Sequence, residues 1–99
     1  MIGTPGKALS EMGTFLTSFG SNIQAGSTVL GVAQRAYDIT LQYAQQRRQG
    51  GKTVFEHDVQ RHRLARMSMK LDAARKYLWY AGWTAQQGKA DARAAFLCK

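Results

Sequence analysis

The sequence predicts an all-α protein, a helical bundle, and three observations carry that prediction. Leu64, Met67, Leu71, Ala74, Leu78 and Ala81 recur at steps of three, four, three, four and three, the period of one helical face. Residues 21–49 hold two apolar rows at the same period. The pair Gly50-Gly51 separates the two patterns, and the only proline, Pro5, lies outside both.

In chain order, Thr4-Pro5 reads as a helix start, with Thr4 as N-cap and Pro5 at the first helical position. Leu9, Met12, Leu16 and Phe19 then mark a short amphipathic helix ending near Phe19-Gly20. Ser21 or Asn22 can cap the next helix, which runs to Gln49. One of its rows is Gly26, Leu30, Ala33, Tyr37, Leu41 and Ala44; the other is Val29, Val32, Ala36, Ile39 and Tyr43. Two rows imply burial on two sides, as for a helix in the middle of a bundle. Gly26 and Gly31 each cost a helix about 1 kcal/mol, so a closely approaching backbone or ligand is expected at both. Arg47 and Arg48 are expected in the last turn, facing the negative end of the helix dipole.

Thr53 to Glu56 reads as a connector, with Val54 and Phe55 folded back onto the bundle. His57 or Asp58 begins the third helix, with Glu56 and Asp58 placed to cap it. Tyr77, Tyr80 and Trp83, with Trp79 on another face, widen its apolar surface as core or interface. Gln87-Gly88-Lys89 ends it, and Asp91 can cap a last segment, residues 92–99. Helices of about thirty residues are roughly 45 Å long. Such helices outreach the rest of this chain, so a partner surface is expected.

Fourteen lysines and arginines against six acidic residues give a net charge of +8. An anionic cofactor or ligand, an acidic partner subunit, or nucleic acid would answer that excess. No apolar run is long enough to span a membrane. The first six residues lack the charged and apolar regions of a signal peptide. Cys98, the one cysteine, has no partner for an intramolecular disulfide, and the whole points to a cytoplasmic setting. His57 and His62 are five apart, off the spacing that puts two ligands on one helical face, so no metal site is assigned. Phosphate loops, nucleophile elbows and dinucleotide fingerprints do not occur, and no catalytic residue is assigned.

Residues 29–52 nevertheless resemble a known family. Gly31, Ala33, Ala36, Asp38, Tyr43, Ala44, Arg47, Gly51 and Lys52 fall in register with the pattern G-x-A-x-x-A-x-D-x-x-x-x-Y-A-x-x-R-x-x-F-G-K of the C-terminal domain of acyl-CoA dehydrogenases. The likeness continues through Glu56-His57, Leu64-Ala65, Met67, Ala73-Ala74-Arg75, Ala81-Gly82-Trp83 and Gly88-Lys89, and reaches back through residues 3–8. It implies an up-down helical bundle, homo-oligomers (dimer or tetramer) and FAD held between subunits. It further implies an acyl-CoA substrate oxidised to the 2,3-enoyl form, with electron-transfer flavoprotein or another acceptor downstream. In the family, a glutamate removes the α-proton while the β-hydrogen leaves as hydride to the flavin. By the same resemblance, Arg47 and Gln49 match the residues that touch the FAD diphosphate of a neighbouring subunit.

The departures are specific. Gly50 replaces the aromatic of R-x-x-F-G, and Asp58 replaces a common glutamine. Asn22 and Ser21 stand where many members have a substrate-contacting arginine and some the catalytic glutamate. The R-x-Q-G-G-K variant also resembles nitroalkane-oxidase-like branches, so the substrate stays open. The flavin-binding N-terminal and β domains have no counterpart in residues 1–99. The expectation is therefore a single helical domain, a truncated C-terminal bundle without activity by itself. Two alternatives remain. One is a small basic helical protein binding nucleic acid through Arg61, Arg63, Arg66 and Lys70, a reading less favoured than the flavoprotein one. The other is a structural oligomerisation module built on the Leu64–Ala81 stripe.

Overall fold

Two long antiparallel helices joined by a glycine hairpin form the main body of the computed structural model, which describes residues 5–7, 19–89 and 91–98. The expected short helix before Phe19 falls mostly outside the described residues, but its expected start does not: Pro5 and Gly6 form a turn, and the positive φ of Gly6, 83°, is incompatible with Pro5 opening a helix. Helix α1 spans Phe19–Gln46, and two-residue strands β1 (Arg48–Gln49) and β2 (Lys52–Thr53) follow. A single 3-10 turn, Val54–Glu56, leads into α2, Asp58–Gln86, and α3 spans Ala92–Leu97. The chain separates into two compact units, residues 28–76 and residues 1–27 together with 77–99.

In the unit of residues 28–76, one of the two apolar rows of α1 is covered. Leu30, Ala33, Tyr37 and Leu41 are half-buried and Ala44 is buried, as is Leu64 of α2. The second row is not covered by this chain: Val29, Val32, Ile39 and Tyr43 are all more than half exposed. The expectation of burial on two sides is thus met on one side only. A polar chain ties the helices together, since Arg75 donates to Gln34 Oε1 at 2.5 Å and Gln34 donates to Asp38 at 2.9 Å.

A Cβ added at Gly31 would meet no atom within 4 Å, so the close approach expected there is not made by the described residues. Helix α1 also stops three residues short of Gln49. Arg47 is the residue after its last turn and Arg48 is in β1, so neither is a last-turn residue as the sequence suggested.

In the other unit, Leu78, Ala81, Ala94 and Ala95 form the buried core. The close approach expected at Gly26 is real. A Cβ there would collide with the Cys98 carbonyl oxygen and lie 3.0 Å from Leu78 Cδ2. Helix α2 ends as its sequence predicts: Lys89 N–H donates to Thr84 O and Gly88 N–H to Ala85 O, the paired bonds of a Schellman cap. Asp91 caps α3 by accepting from the Arg93 N–H at 2.9 Å. Tyr77 and Tyr80 stack at a tilt with centroids 6.3 Å apart. Trp79, Trp83, Phe96 and Leu97 remain largely exposed, so the C-terminal aromatics are surface rather than core in this chain.

Candidate functional site

Among the described residues, the segment from Arg47 to His57 brings the sequence-assigned Arg47 and Gln49 together in one hairpin. Strands β1 and β2 pair antiparallel with Arg48 opposite Thr53 and Gln49 opposite Lys52, leaving Gly50 and Gly51 as a two-residue loop. Both loop residues have positive φ, 64° and 81°, as the twist of a two-residue hairpin demands and as glycine alone adopts freely. The Val54 N–H donates to Arg47 O at 2.8 Å, which extends the ladder by one more pair.

Side chains alternate along an extended backbone, and directly opposed residues share a face. Arg47 and Gln49 therefore lie on one face of the hairpin with Lys52 and Val54. Arg48 and Thr53 take the other. That second face is internally satisfied. Arg48 Nη2 donates to Gly51 O at 3.0 Å, and Glu56 Oε2 accepts both the Thr53 N–H (2.5 Å) and the Thr53 hydroxyl (2.8 Å). Among the described residues, the Arg47 guanidinium has no ion pair or hydrogen bond, and it is exposed. The face carrying Arg47, Gln49 and Lys52 thus offers two cations and an amide, while the two carboxylates near Lys52 are engaged elsewhere, Glu56 by Thr53 and Asp58 by Arg61.

The Thr53 N–H, and secondarily its hydroxyl, hold the Glu56 carboxyl below the ordinary glutamate value, and Arg48 and Lys52 add to this. Glu56 therefore closes the 3-10 turn onto Thr53 instead of capping α2 as its sequence position suggested. A lowered folded-state value means that its stabilising effect is complete above the ordinary glutamate value and is lost as pH falls through the lowered one. The Thr53 amide resonance should accordingly titrate with a midpoint below the ordinary glutamate value, and Glu56→Gln should remove that titration. A midpoint at or above the ordinary value would contradict this arrangement.

His57 takes a structural place rather than a metal-binding one: its Nε2 lies 3.0 Å from the Gln49 carbonyl oxygen. A carbonyl only accepts, so Nε2 carries the proton. The imidazole also stands 3.6 Å from the position a Gly50 Cβ would take, so it braces the turn across eight residues of sequence. Gln49, Gly50, Val54 and His57 line an open cleft of about 480 Å³ with the first residues of α2. Replacing His57 by phenylalanine keeps a ring but removes the donor. The expected result is faster amide exchange at residues 49–52 by a factor equivalent to about 1 kcal/mol. Unchanged exchange would show that the ring's packing alone holds the turn.

The other candidates named from the sequence fall elsewhere. Arg61 pairs with Asp58 on the same helix, which separates it from the other three residues of the basic cluster. Arg63, Arg66 and Lys70 stay together around Met67. His62 is exposed, and among the described residues no group of His, Cys, Asp and Glu is placed to hold a metal ion. Asn22 is buried and Ser21 half-buried near the start of α1. No described helix is long and apolar enough to cross a membrane. The role of His57 is not legible in the motif, and the only clue is the two-residue glycine loop, which fixes the register that brings residues 49 and 57 together.

Comparison with known proteins gives a consistent picture. The profile of the family described as "Acyl-CoA dehydrogenase, C-terminal domain" matches residues 21–99. A short-chain specific acyl-CoA dehydrogenase of Megasphaera elsdenii is 32% identical over 89 residues, 90% of this chain and 23% of its own length. The 3-sulfinopropanoyl-CoA desulfinase of Paraburkholderia xenovorans is 33% identical over 78 residues, 78% of this chain and 20% of its own. The mitochondrial short/branched chain specific acyl-CoA dehydrogenase of Bos taurus is 32% identical over 77 residues, 78% of this chain and 18% of its own. The chain thus spans about a fifth of the length of the curated relatives it matches.

Proposed function

Because this chain belongs to the acyl-CoA dehydrogenase family, matching its C-terminal domain, we propose that the Arg47–Lys52 hairpin contributes the diphosphate contacts of an FAD bound between subunits. The supporting observation is the register of the hairpin, which sets Arg47 and Gln49 on one face with Lys52 while Glu56 is held on the other. A guanidinium forks onto two phosphate oxygens, an amide adds a neutral donor, and an ammonium adds charge without fixed direction. That donor set fits a diphosphate. Positive φ at both glycines and the His57 bond to Gln49 O hold the hairpin backbone that carries these donors. Bound flavin would supply the hydride acceptor for α,β-dehydrogenation of a CoA thioester.

In this reading residues 1–99 are one helical domain that contributes cofactor contacts and oligomer surface, not the catalytic base. Asn22 and Ser21 bear no group able to take an α-proton. Trp79, Trp83, Phe96 and Leu97, exposed on α2 and α3, supply the apolar surface that a homo-oligomer would bury. Activity then requires the rest of the flavoprotein assembly, including its downstream electron acceptor.

The test is the absorbance of the natural gene product purified under native conditions. Flavin bands that bleach on addition of an acyl-CoA are expected. A colourless product that takes up no added FAD would overturn the proposal.

A further inference from the structure

The proposed diphosphate face runs into a cleft of opposite chemistry. Gln49 and Val54, on the hairpin face that carries Arg47 and Lys52, line an open cleft of about 480 Å³ with His57, Asp58 and Val59. That volume lies within the range of roughly 300–1,000 Å³ usual for small-molecule sites. Where the hairpin presents donors, the cleft presents acceptors. His57 Nε2 donates to the Gln49 carbonyl, which leaves Nδ1 of the neutral ring as an acceptor. Asp58 is exposed. Its Oδ1 accepts from Arg61 Nη2, and among the described residues no hydrogen bond engages Oδ2. The hydrogen bond from Arg61, with the charges of Arg61, Lys52 and His57, holds the Asp58 carboxyl below the usual aspartate value. It therefore stays an ionised acceptor at neutral pH.

We propose that Asp58 determines which sugar the site accepts: the cleft receives the adenosine ribose of the dinucleotide, and the Asp58 carboxylate takes a hydrogen bond from a ribose hydroxyl. The inference rests on the flavin-diphosphate reading of the hairpin and names the half of the ligand that lies beside it. Walls made of acceptors need a ligand that brings donors, and ribose hydroxyls are donors. Phosphate oxygens are not, and a further phosphate here would face the Asp58 charge. The ribose is joined directly to the diphosphate, so a sugar next to the hairpin falls within reach of the adjoining cleft. The ribityl chain on the other side also bears hydroxyls, but it leads to the flavin ring, which must meet a thioester and a base. Asp58, kept ionised by Arg61, is a poor base for an α-proton. An acidic side chain on a ribose hydroxyl is a recurrent device for recognising dinucleotides. Val54 and Val59 add apolar edges against which a sugar or purine ring can lie.

The test uses the native assembly, freed of bound nucleotide, in calorimetric titrations with ADP, 2′,3′-dideoxy-ADP and inorganic pyrophosphate. ADP is expected to bind about ten-fold more tightly than its dideoxy form, the discrimination shown by a charged acceptor that loses its hydroxyl partner. Asp58→Ala should abolish that difference. Arg61→Ala removes the pairing partner but keeps the acceptor, so the difference should persist. Val59 is 63% exposed, and Val59→Trp should crowd the cleft, weakening ADP while leaving pyrophosphate unchanged. Equal binding of ADP and dideoxy-ADP by the unaltered assembly would overturn the proposal. If pyrophosphate still binds there and Arg47→Ala abolishes that binding, the diphosphate reading survives. A preference for ADP that persists in Asp58→Ala would likewise overturn the role of Asp58. Failure of both ADP and pyrophosphate to bind would overturn the two readings together.

Discussion

Substituting Gly26 by alanine should unseat α3 and destabilise the fold by about 1–3 kcal/mol, the usual cost of forcing extra atoms into a filled space. The reason is local. A Cβ at this position runs into the Cys98 carbonyl oxygen, and a backbone atom cannot step aside as a flexible side chain can. Either α1 bends or the end of α3 lifts, and lifting exposes Ala94 and Ala95, which are 0% and 2% exposed in the native packing. Thermal unfolding reads the stability, and amide exchange across residues 92–98 reads the displacement. The matched control is Gly31→Ala on the same helix. There the added methyl meets nothing within 4 Å, so the expected change is a gain of up to about 1 kcal/mol from helix propensity alone. Equal effects at the two positions would show that propensity, and not the contact with Cys98, governs Gly26.

Arg47→Ala should lower flavin affinity of the native assembly by about ten- to a hundredfold, the loss expected when a charge-assisted contact worth about 1.5–3 kcal/mol is removed. Arg47 is extended from the hairpin with no competing partner among the described residues, so the fold gives up little when it is removed. Arg47→Lys keeps the charge and loses the planar fork, so it should fall between the two. Arg48→Ala is the informative contrast. Arg48 is already bonded to Gly51 O on the other face, so its removal should loosen the turn more than it weakens the contact with cofactor. Equilibrium dialysis of FAD, with amide exchange on the same samples, separates these effects.

Much of the backbone is legible in the sequence because its signals are long. The Leu64–Ala81 stripe runs through six positions, and Leu64, Leu78 and Ala81 from it are buried. The Gly88 stop and the Asp91 cap both form the bonds their chemistry predicts. The glycine break stands where the sequence puts it but turns a hairpin instead of stopping a helix, because Gly-Gly satisfies a C-cap and a two-residue hairpin equally well. Two-residue strands are too short to display alternation, so nothing in Arg48-Gln49 or Lys52-Thr53 discloses the ladder.

Periodicity also gives a helix its apolar rows without saying which of them the chain itself covers. That is why Val29, Val32, Ile39 and Tyr43 prove exposed. In the candidate site, Arg47 and Gln49 come from resemblance alone. Their common face follows from register, and the brace from His57 to Gln49 O depends on a turn that folds residue 57 back across eight positions. Sequence proximity groups Arg61 with Arg63, Arg66 and Lys70, but Asp58 one turn earlier on the helix captures it.

The central claim is that the Arg47–Lys52 hairpin recognises the diphosphate of a flavin dinucleotide. The most direct measurement follows the backbone and side-chain resonances of these residues in the isotope-labelled native assembly, freed of bound nucleotide, during parallel titrations with FAD, ADP and riboflavin. FAD and ADP share the diphosphate, and riboflavin lacks it. The account predicts that FAD and ADP shift Arg47, Gln49 and Lys52 together, that riboflavin does not, and that Arg47→Ala removes the response. Shifts of equal size with riboflavin, or shifts centred on Arg63, Arg66 and Lys70 in place of the hairpin, would contradict it.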